Sequence, residues 1–448
     1  MLQLLVISIA IAAIALSSGA FNALWTASGF ALIGYVVTDS LIPKLAPFFT
    51  AKGLFGKDMS KVGKPVIPET IGAITATSYL FLMFFFIPFA FYKYLVVATV
   101  GGGERGAGEV PSLGSDDQLA LFPHDKLAGF LSAMLCLESI LLLGLADDFF
   151  DLRWRHKFFL PAIAAIPLLV VYYVDFGVTH VLIPSWLQHH FKDQTTIELG
   201  WLYYVYMGSV AIFCPNSINI LAGVNGLETG QAVVITVLLL LNDLCYFVFG
   251  SQQTWESHIF SASLLIPFLG VSLTLFKYNW YPARVFVGDT YCYFAGMVFA
   301  VVGIQGHFSK TLLLFFIPQI FNFIYSVPQL FNLVPCPRHR LPRFNEKDGL
   351  MYPSHAVFEK QLNPMVEKAM VVLSKLKLLE IVQREGRVVE SSNFTLINLA
   401  LVWFGPLRED SLCAVLLLLQ FTIGLVALLA RHTIGPWLYG YDNLFFSA

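Results

Sequence analysis

Eleven apolar blocks divide this 448-residue sequence, near 2–19, 24–45, 71–97, 127–146, 158–174, 200–220, 229–249, 259–277, 291–305, 311–334 and 411–431. An α-helix needs about 20 apolar residues to cross a hydrocarbon core. No water reaches the backbone there, so helices satisfy its amides internally. The expected fold class is an all-α polytopic membrane protein with 10–11 transmembrane helices and a small α+β cytoplasmic insertion. Composition agrees: 57% of residues are hydrophobic and 12% charged, about half the charge of a soluble domain. The opening MLQLLVISIAIAAIALS lacks a basic start and a clear cleavage site, so it reads as a retained span, with a signal peptide as the alternative.

Each span switches sides, so the segments 46–70, 147–157, 221–228, 278–290 and 335–410 share one face. With Lys44 and Lys277 at the span edges, that face holds 21 of the 27 Lys and Arg residues and is expected to be cytoplasmic. The opposite segment near 99–124 contains GGGERGAGEVPSLGSDD, a flexible connector by composition. It lacks the Lys-Ser/Thr ending of a phosphate loop. Asn393-Phe394-Thr395 matches a glycosylation acceptor, but parity places it on the cytoplasmic face. The six cysteines are scattered without metal-site spacing and read as structural. A net charge of -2 gives no reason to expect a nucleic-acid partner.

The domain reading is an N-terminal hydrophobic segment (1–20, extra span or signal anchor) and a transmembrane catalytic domain (21–334). A cytoplasmic donor-binding loop and insertion (335–410) follows, then the last span with a lumenal tail (411–448). Within the insertion, Pro364–Ile381 suggests a short helix and the stretch around Val388 and Val389 a strand.

Four polar motifs fall on the shared face. GLADDFFDLRWRHK, 144–157, carries adjacent Asp147 and Asp148, whose side chains diverge by about 100° on a helix, so one faces a site and the other orients a neighbour. Lys157 and Arg155 nearby suit a phosphate; a solvated loop that merely sets topology is the plain alternative. CPNSINILAGVNGLETG, 214–230, places Asn216, Asn219, Asn225 and Glu228 at a span end, where an amide oxygen suits a hard metal and Gly223 admits a planar ligand. A structural turn would explain the same residues. NWYPARVFVGDTYCYFAG, 279–296, puts Asp289 just before a span, as a metal ligand or a helix cap. PCPRHRLPR, 335–343, clusters Arg338, His339, Arg340 and Arg343 between prolines, for phosphate recognition or for membrane anchoring. Asp and Asn oxygens, a lysine and arginines on one face are the set expected for Mg²⁺-assisted phosphoryl transfer from a diphosphate. A transporter would keep such groups near the midplane; here the polar motifs sit at cytoplasmic span ends, and the acids read as lying within spans are Asp39 and Glu138.

Taken in order, GLADDFFDLRWRHK, NSINILAGVNGLE, VFVGDT and PCPRHR closely resemble the eukaryotic UDP-GlcNAc:dolichyl-phosphate GlcNAc-1-phosphotransferases, a branch of the polyprenyl-phosphate sugar-1-phosphate transferases. The resemblance covers the chain from about residue 24. It implies ten membrane helices, endoplasmic-reticulum residence with a cytosolic site, and GlcNAc-1-phosphate transfer from UDP-GlcNAc to dolichyl phosphate, giving GlcNAc-PP-dolichol and UMP. It implies Mg²⁺ as cofactor, membrane lipid as surroundings and a homodimer as a candidate assembly. Residue by residue, it makes Asn219 and Asp289 the Mg²⁺ ligands. Lys157 lies near the transferring phosphate, with Asp147 its partner and Asp148 in the catalytic pair. Arg338, His339 and Arg340 grip the donor diphosphate and sugar; Gly223, Asn225 and Phe286 form the uridine pocket; Glu69 is an acid near the nucleotide. Asp151 stands where relatives can carry Asn, which argues against a catalytic role for it.

Overall fold

The computed structural model describes residues 2–15, 22–91, 124–150, 152–153, 157–191, 194–337, 339–358, 362–384 and 386–439. The connector near 99–124, apart from its last residue, and Asp151 lie outside them.

Within the described residues each apolar block is largely helical. In chain order the helices are α1 (Leu2–Ala15), α2 (Asn22–Ala51), α3 (Gly72–Ala90), α4 (His124–Phe150), α5 (Leu160–Ala164), α6 (Ile166–Asp175), α7 (Trp201–Ile220), α8 (Leu227–Phe249), α9 (Gln252–Asn279), α10 (Asp289–Gln305), α11 (Ser309–Phe315), α12 (Ile317–Leu330), α13 (Pro364–Lys375), α14 (Leu396–Phe404) and α15 (Glu409–Tyr439). Among the described residues six are long and apolar enough to cross a membrane, and α11 with α12 makes one further path bent by 69°. The protein is therefore a multi-pass membrane protein. The expected single spans at 158–174 and 311–334 are each broken in two just before Pro167 and Pro318. Proline removes a helix amide and clashes with the preceding turn, so these breaks have a local cause.

Helix α10 is the axis of the bundle. From Thr290 to Gln305 every residue is buried, and the helix packs against α3, α4, α7, α8 and α9. A helix that is apolar all round buries itself on all sides, and α10 does so against other helices. At Gly144 the backbone of α4 comes so close to α10 that an added Cβ would lie 2.6 Å from Thr290 Cα. That contact sets the end of α4 directly beside the start of α10. A buried acid passed over in the sequence, Asp243 in α8, bonds His258 at 2.7 Å and Ser261 at 2.6 Å. Its charge-bearing group is thus fully partnered by α9.

Small sheets decorate the ends: β1 (Phe55–Lys57) with β2 (Val66–Pro68), β3 (His180–Leu182) with β4 (Thr196–Glu198), and β5 (Arg343–Asn345) with β6 (Leu350–Tyr352), all antiparallel. The insertion holds a three-stranded sheet in which β9 (Arg387–Ser392) lies between β7 (His355–Val357) and β8 (Ile381–Arg384). It has its own small core of Val334, Ala356, Phe358, Met370, Leu379, Val388 and Phe394. The expected α+β insertion is present, and its helix ends at Lys375, earlier than Ile381. Asn393 of the glycosylation-like motif is 1% exposed, its side chain bonded to Gln329 and Ser354, so no glycan can be attached in this fold.

Candidate active site

The Asp147-Asp148 pair ends α4, and its two carboxylates serve different partners. Asp147 is buried; Oδ2 accepts a hydrogen bond from Lys157 Nζ at 2.8 Å and Oδ1 accepts one from the Leu152 amide at 3.1 Å. Asp148 turns to α10. Its Oδ1 accepts from the Asp289 amide at 2.9 Å, and its Oδ2 from the Thr290 amide at 3.3 Å and from the Thr290 hydroxyl.

The first amides of a helix have no partner within it, and the positive end of the helix dipole favours an anion. Asp148 supplies both across the bundle. The plain alternative, that Asp289 itself caps the helix, does not hold: Gly288 holds the capping position at φ +81° and Asp289 is the first helical residue. A Cβ on Gly288 would come within 2.7 Å of Asp148 Oδ2, so glycine is what allows the closure.

Asp289 then directs its own carboxylate into the site. Its Oδ2 lies 2.9 Å from Lys157 Nζ, the Asn219 side chain lies beside it and favours its charged form, and the side chain is 35% exposed. Lys157 therefore joins carboxylates from α4 and α10. Burial disfavours its charge, but the negative charges of Asp289 and Asp147 outweigh it and hold the ammonium above the usual lysine range. Asn219 ends α7, so three helices meet at one point. Among the described residues no three His, Cys, Asp or Glu side chains are grouped to hold a metal; Asp147 and Asp148 turn their oxygens to Lys157, Leu152 and the start of α10, which leaves Asp289 and Asn219 as the candidate oxygen donors.

Beside this cluster the 285–288 segment pairs with the β2 end: Phe286 donates its amide to Pro68 at 2.7 Å and accepts from Ile71 at 3.2 Å. Its ring covers Gly56 of β1, where an added Cβ would sit 2.9 Å from the ring. Glu69 follows β2 and is exposed; desolvation by the surrounding walls, then the charges of Asp148 and Asp289, push its carboxyl above the usual range.

The loop between α7 and α8 is also tied down. Gly223, at φ +99°, donates its amide to Glu228 Oε1 at 2.8 Å. Leu341 of the arginine-rich loop lies over it, so close that an added Cβ would be 2.3 Å from Leu341 Cδ2. Asn225 is buried, its amide donating to Glu409 at 2.8 Å and its Nδ2 to Asp58 at 3.0 Å.

In the arginine-rich loop, the Arg340 carbonyl accepts from Asn398 Nδ2 at 2.8 Å and Ser354 Oγ at 3.1 Å. The insertion thus fixes that backbone, while Nη1 of Arg340 is buried with no partner among the described residues. His339 is exposed, and Arg338 lies outside the described residues. The sequence reading missed Asp58, Lys61, Glu409 and Thr290. The acids of KDMSK and RED beside span ends are the available signal.

The segments that parity assigned to one face meet in this cleft. Residues 130–307 match the model of glycosyl transferase family 4. The chain is 63% identical to the UDP-N-acetylglucosamine–dolichyl-phosphate N-acetylglucosaminephosphotransferase of Saccharomyces cerevisiae over 94% of each chain. It is 51% identical to that of Schizosaccharomyces pombe over 93% of each. The Dictyostelium discoideum protein of that name is 38% identical, over 88% of this chain and 85% of its own. With that identity spanning nearly the whole chain, the chain belongs to the UDP-N-acetylglucosamine–dolichyl-phosphate N-acetylglucosaminephosphotransferase family.

Proposed function

We propose that this protein transfers GlcNAc-1-phosphate from UDP-GlcNAc to dolichyl phosphate, releasing UMP, as the first step of lipid-linked oligosaccharide synthesis for N-glycosylation. The site faces the cytosol from the endoplasmic-reticulum membrane, consistent with the basic residues concentrated on that face. The observation that carries the reading is the half-buried Lys157 ammonium held between Asp147 and Asp289, within a family whose named members carry out this transfer.

A phosphate oxygen of the acceptor attacks the phosphorus bonded to GlcNAc. The bond from that phosphorus to the bridging oxygen breaks, and UMP departs with the bridging oxygen. Acceptor phosphate is already ionised near neutral pH, so the attack needs no strong general base. Asp147 supports this: one oxygen holds Lys157 and the other holds the Leu152 amide, which suits it to positioning the lysine. Lys157 stabilises negative charge on the transferring phosphate, and a preorganised donor of this kind contributes about 10²–10³ in rate. Arg340, with an unpartnered buried Nη1, suits the donor diphosphate, with Arg338 and His339 beside it in the loop. Phe286 over Gly56 offers a ring for the uracil with Glu69 beside it, and Gly223 and Asn225 of the 221–226 loop complete the pocket in this reading.

The donor set fits Mg²⁺. Asp289 and Asn219 bring hard oxygens from two helices, and Mg²⁺ commonly uses one or two protein ligands with substrate phosphates and water completing an octahedron. When bound there, the ion would neutralise the donor diphosphate.

The test supplies purified protein with UDP-GlcNAc and dolichyl phosphate and measures UMP and lipid product with and without Mg²⁺. Equimolar UMP and GlcNAc-PP-dolichol is the expected result. Uptake of UDP-GlcNAc into sealed vesicles with no lipid product would overturn it in favour of transport.

A further inference from the structure

Asn225 is held by a buried ionic cluster built from three separate parts of the chain. Asp58 lies just after β1, Lys61 in the turn before β2, and Glu409 opens α15. Their side chains are 5%, 12% and 3% exposed. Lys61 pairs with Glu409 and, at 3.3 Å, with Asp58, and its ammonium sits 4.3 Å above the Tyr281 ring. Burying such charges is costly unless every one is paired, and here each carboxylate also accepts from Asn225. Glu409 Oε1 takes the Asn225 backbone N–H and Asp58 Oδ2 takes its Nδ2.

Both kinds of donor on Asn225 therefore face carboxylates. A carboxylate accepts and cannot donate, so the amide cannot reverse without opposing its oxygen to Asp58. Held this way, the amide offers a ligand its acceptor Oδ1 together with the second N–H of Nδ2. The same hairpin places Gly56 against the Phe286 ring two residues before Asp58, a separation of about 7 Å along a strand. A base stacked on Phe286 thus lies within reach of Asn225.

Resting on the reading of this pocket as the nucleotide site, we propose that Asp58, supported by Lys61 and Glu409, is a specificity-determining positioning residue. It fixes the Asn225 amide so that the pocket offers an acceptor to the base. Uracil meets that acceptor with its N3–H. Cytosine meets it with an N3 lone pair, so the same geometry rejects cytidine nucleotides. Leaving one such pair unmade in a buried site costs about 1–3 kcal/mol, or about 10- to 100-fold in binding.

The variant Asp58→Ala tests this. Asp58 Oδ2 faces both Asn225 Nδ2 and Lys61 Nζ, so an asparagine would keep its oxygen there; alanine removes the acceptor and leaves the Asn225 amide free to turn either edge to the base. Titration of the purified full-length protein with UMP and with CMP should give a wild-type preference for UMP. That preference should fall at least tenfold in Asp58→Ala, through weaker UMP and stronger CMP binding, and should collapse in Asn225→Ala. An unchanged preference in Asp58→Ala with a collapsed one in Asn225→Ala overturns the proposal and leaves the pocket reading standing. Equal weakening of both nucleotides in Asp58→Ala overturns it too, since a purely structural role predicts that. An unchanged preference in Asn225→Ala removes the base pocket from this place altogether.

Discussion

Lys157 Nζ lies 2.9 Å from Asp289 Oδ2, joining a loop residue to the first residue of the buried central helix 132 positions later. The contact is what turns separate polar span ends into a single cleft. It also exposes the chemistry to substitution at either end.

Replacing Lys157 by Met should lower kcat by about 100-fold or more, because a preorganised donor is lost from the transferring phosphate. Lys157→Arg should recover only part, since a planar guanidinium cannot occupy a point between two carboxylates as an ammonium does. Measured UMP release equal to wild type in Lys157→Met would remove the residue from the site.

Asp289→Asn should reduce the Mg²⁺-supported rate sharply and raise the Mg²⁺ concentration needed for half-maximal activity, because a charged oxygen ligand becomes neutral. Chelation of divalent ions should abolish turnover of the unmodified protein. An active Asp289→Ala protein with unchanged Mg²⁺ dependence would contradict the assignment.

Asp148→Ala should act chiefly through the fold. It leaves the Asp289 and Thr290 amides without their acceptor, at a cost of about 1–3 kcal/mol. The thermal unfolding temperature should drop, and donor affinity should change less than in Asp289→Asn. A fully stable but inactive variant would show that Asp148 touches substrate instead.

Arg340→Ala should raise the donor KM by about tenfold or more while the protein stays folded, because Asn398 and Ser354 hold the backbone carbonyl rather than the guanidinium. Arg340→Lys should not restore it if both guanidinium edges are used. Wild-type kinetics in Arg340→Ala would exclude this side chain.

Alkaline pH gives a separate check. Burial alone would lower Lys157, yet Asp289 and Asp147 raise it above the ordinary lysine range. The stability this ion pair contributes is therefore complete below the unfolded-lysine range and is lost as pH rises through the higher folded value. Between pH 7 and 9 neither stability nor kcat/KM should fall through this group. A basic limb in that window that disappears in Lys157→Arg would contradict it.

The sequence by itself determined the membrane class, the positions of the apolar helices and the face on which the polar motifs gather. Those features follow from local composition: apolar length, charge asymmetry and the positions of Pro167 and Pro318 act on nearby backbone. It also named Lys157, Asp289, Asn219 and Asn225, because their motifs are short and contiguous. Only the tertiary structure decided which of the two adjacent aspartates faces Lys157 and which caps α10, since that depends on how α4 crosses α10 at Gly144. It alone brought Asp58 and Lys61 to Glu409, more than 340 positions away. No periodicity or spacing records such a contact, because its energy exists only once the hairpin, the 221–226 loop and α15 have packed together and excluded water.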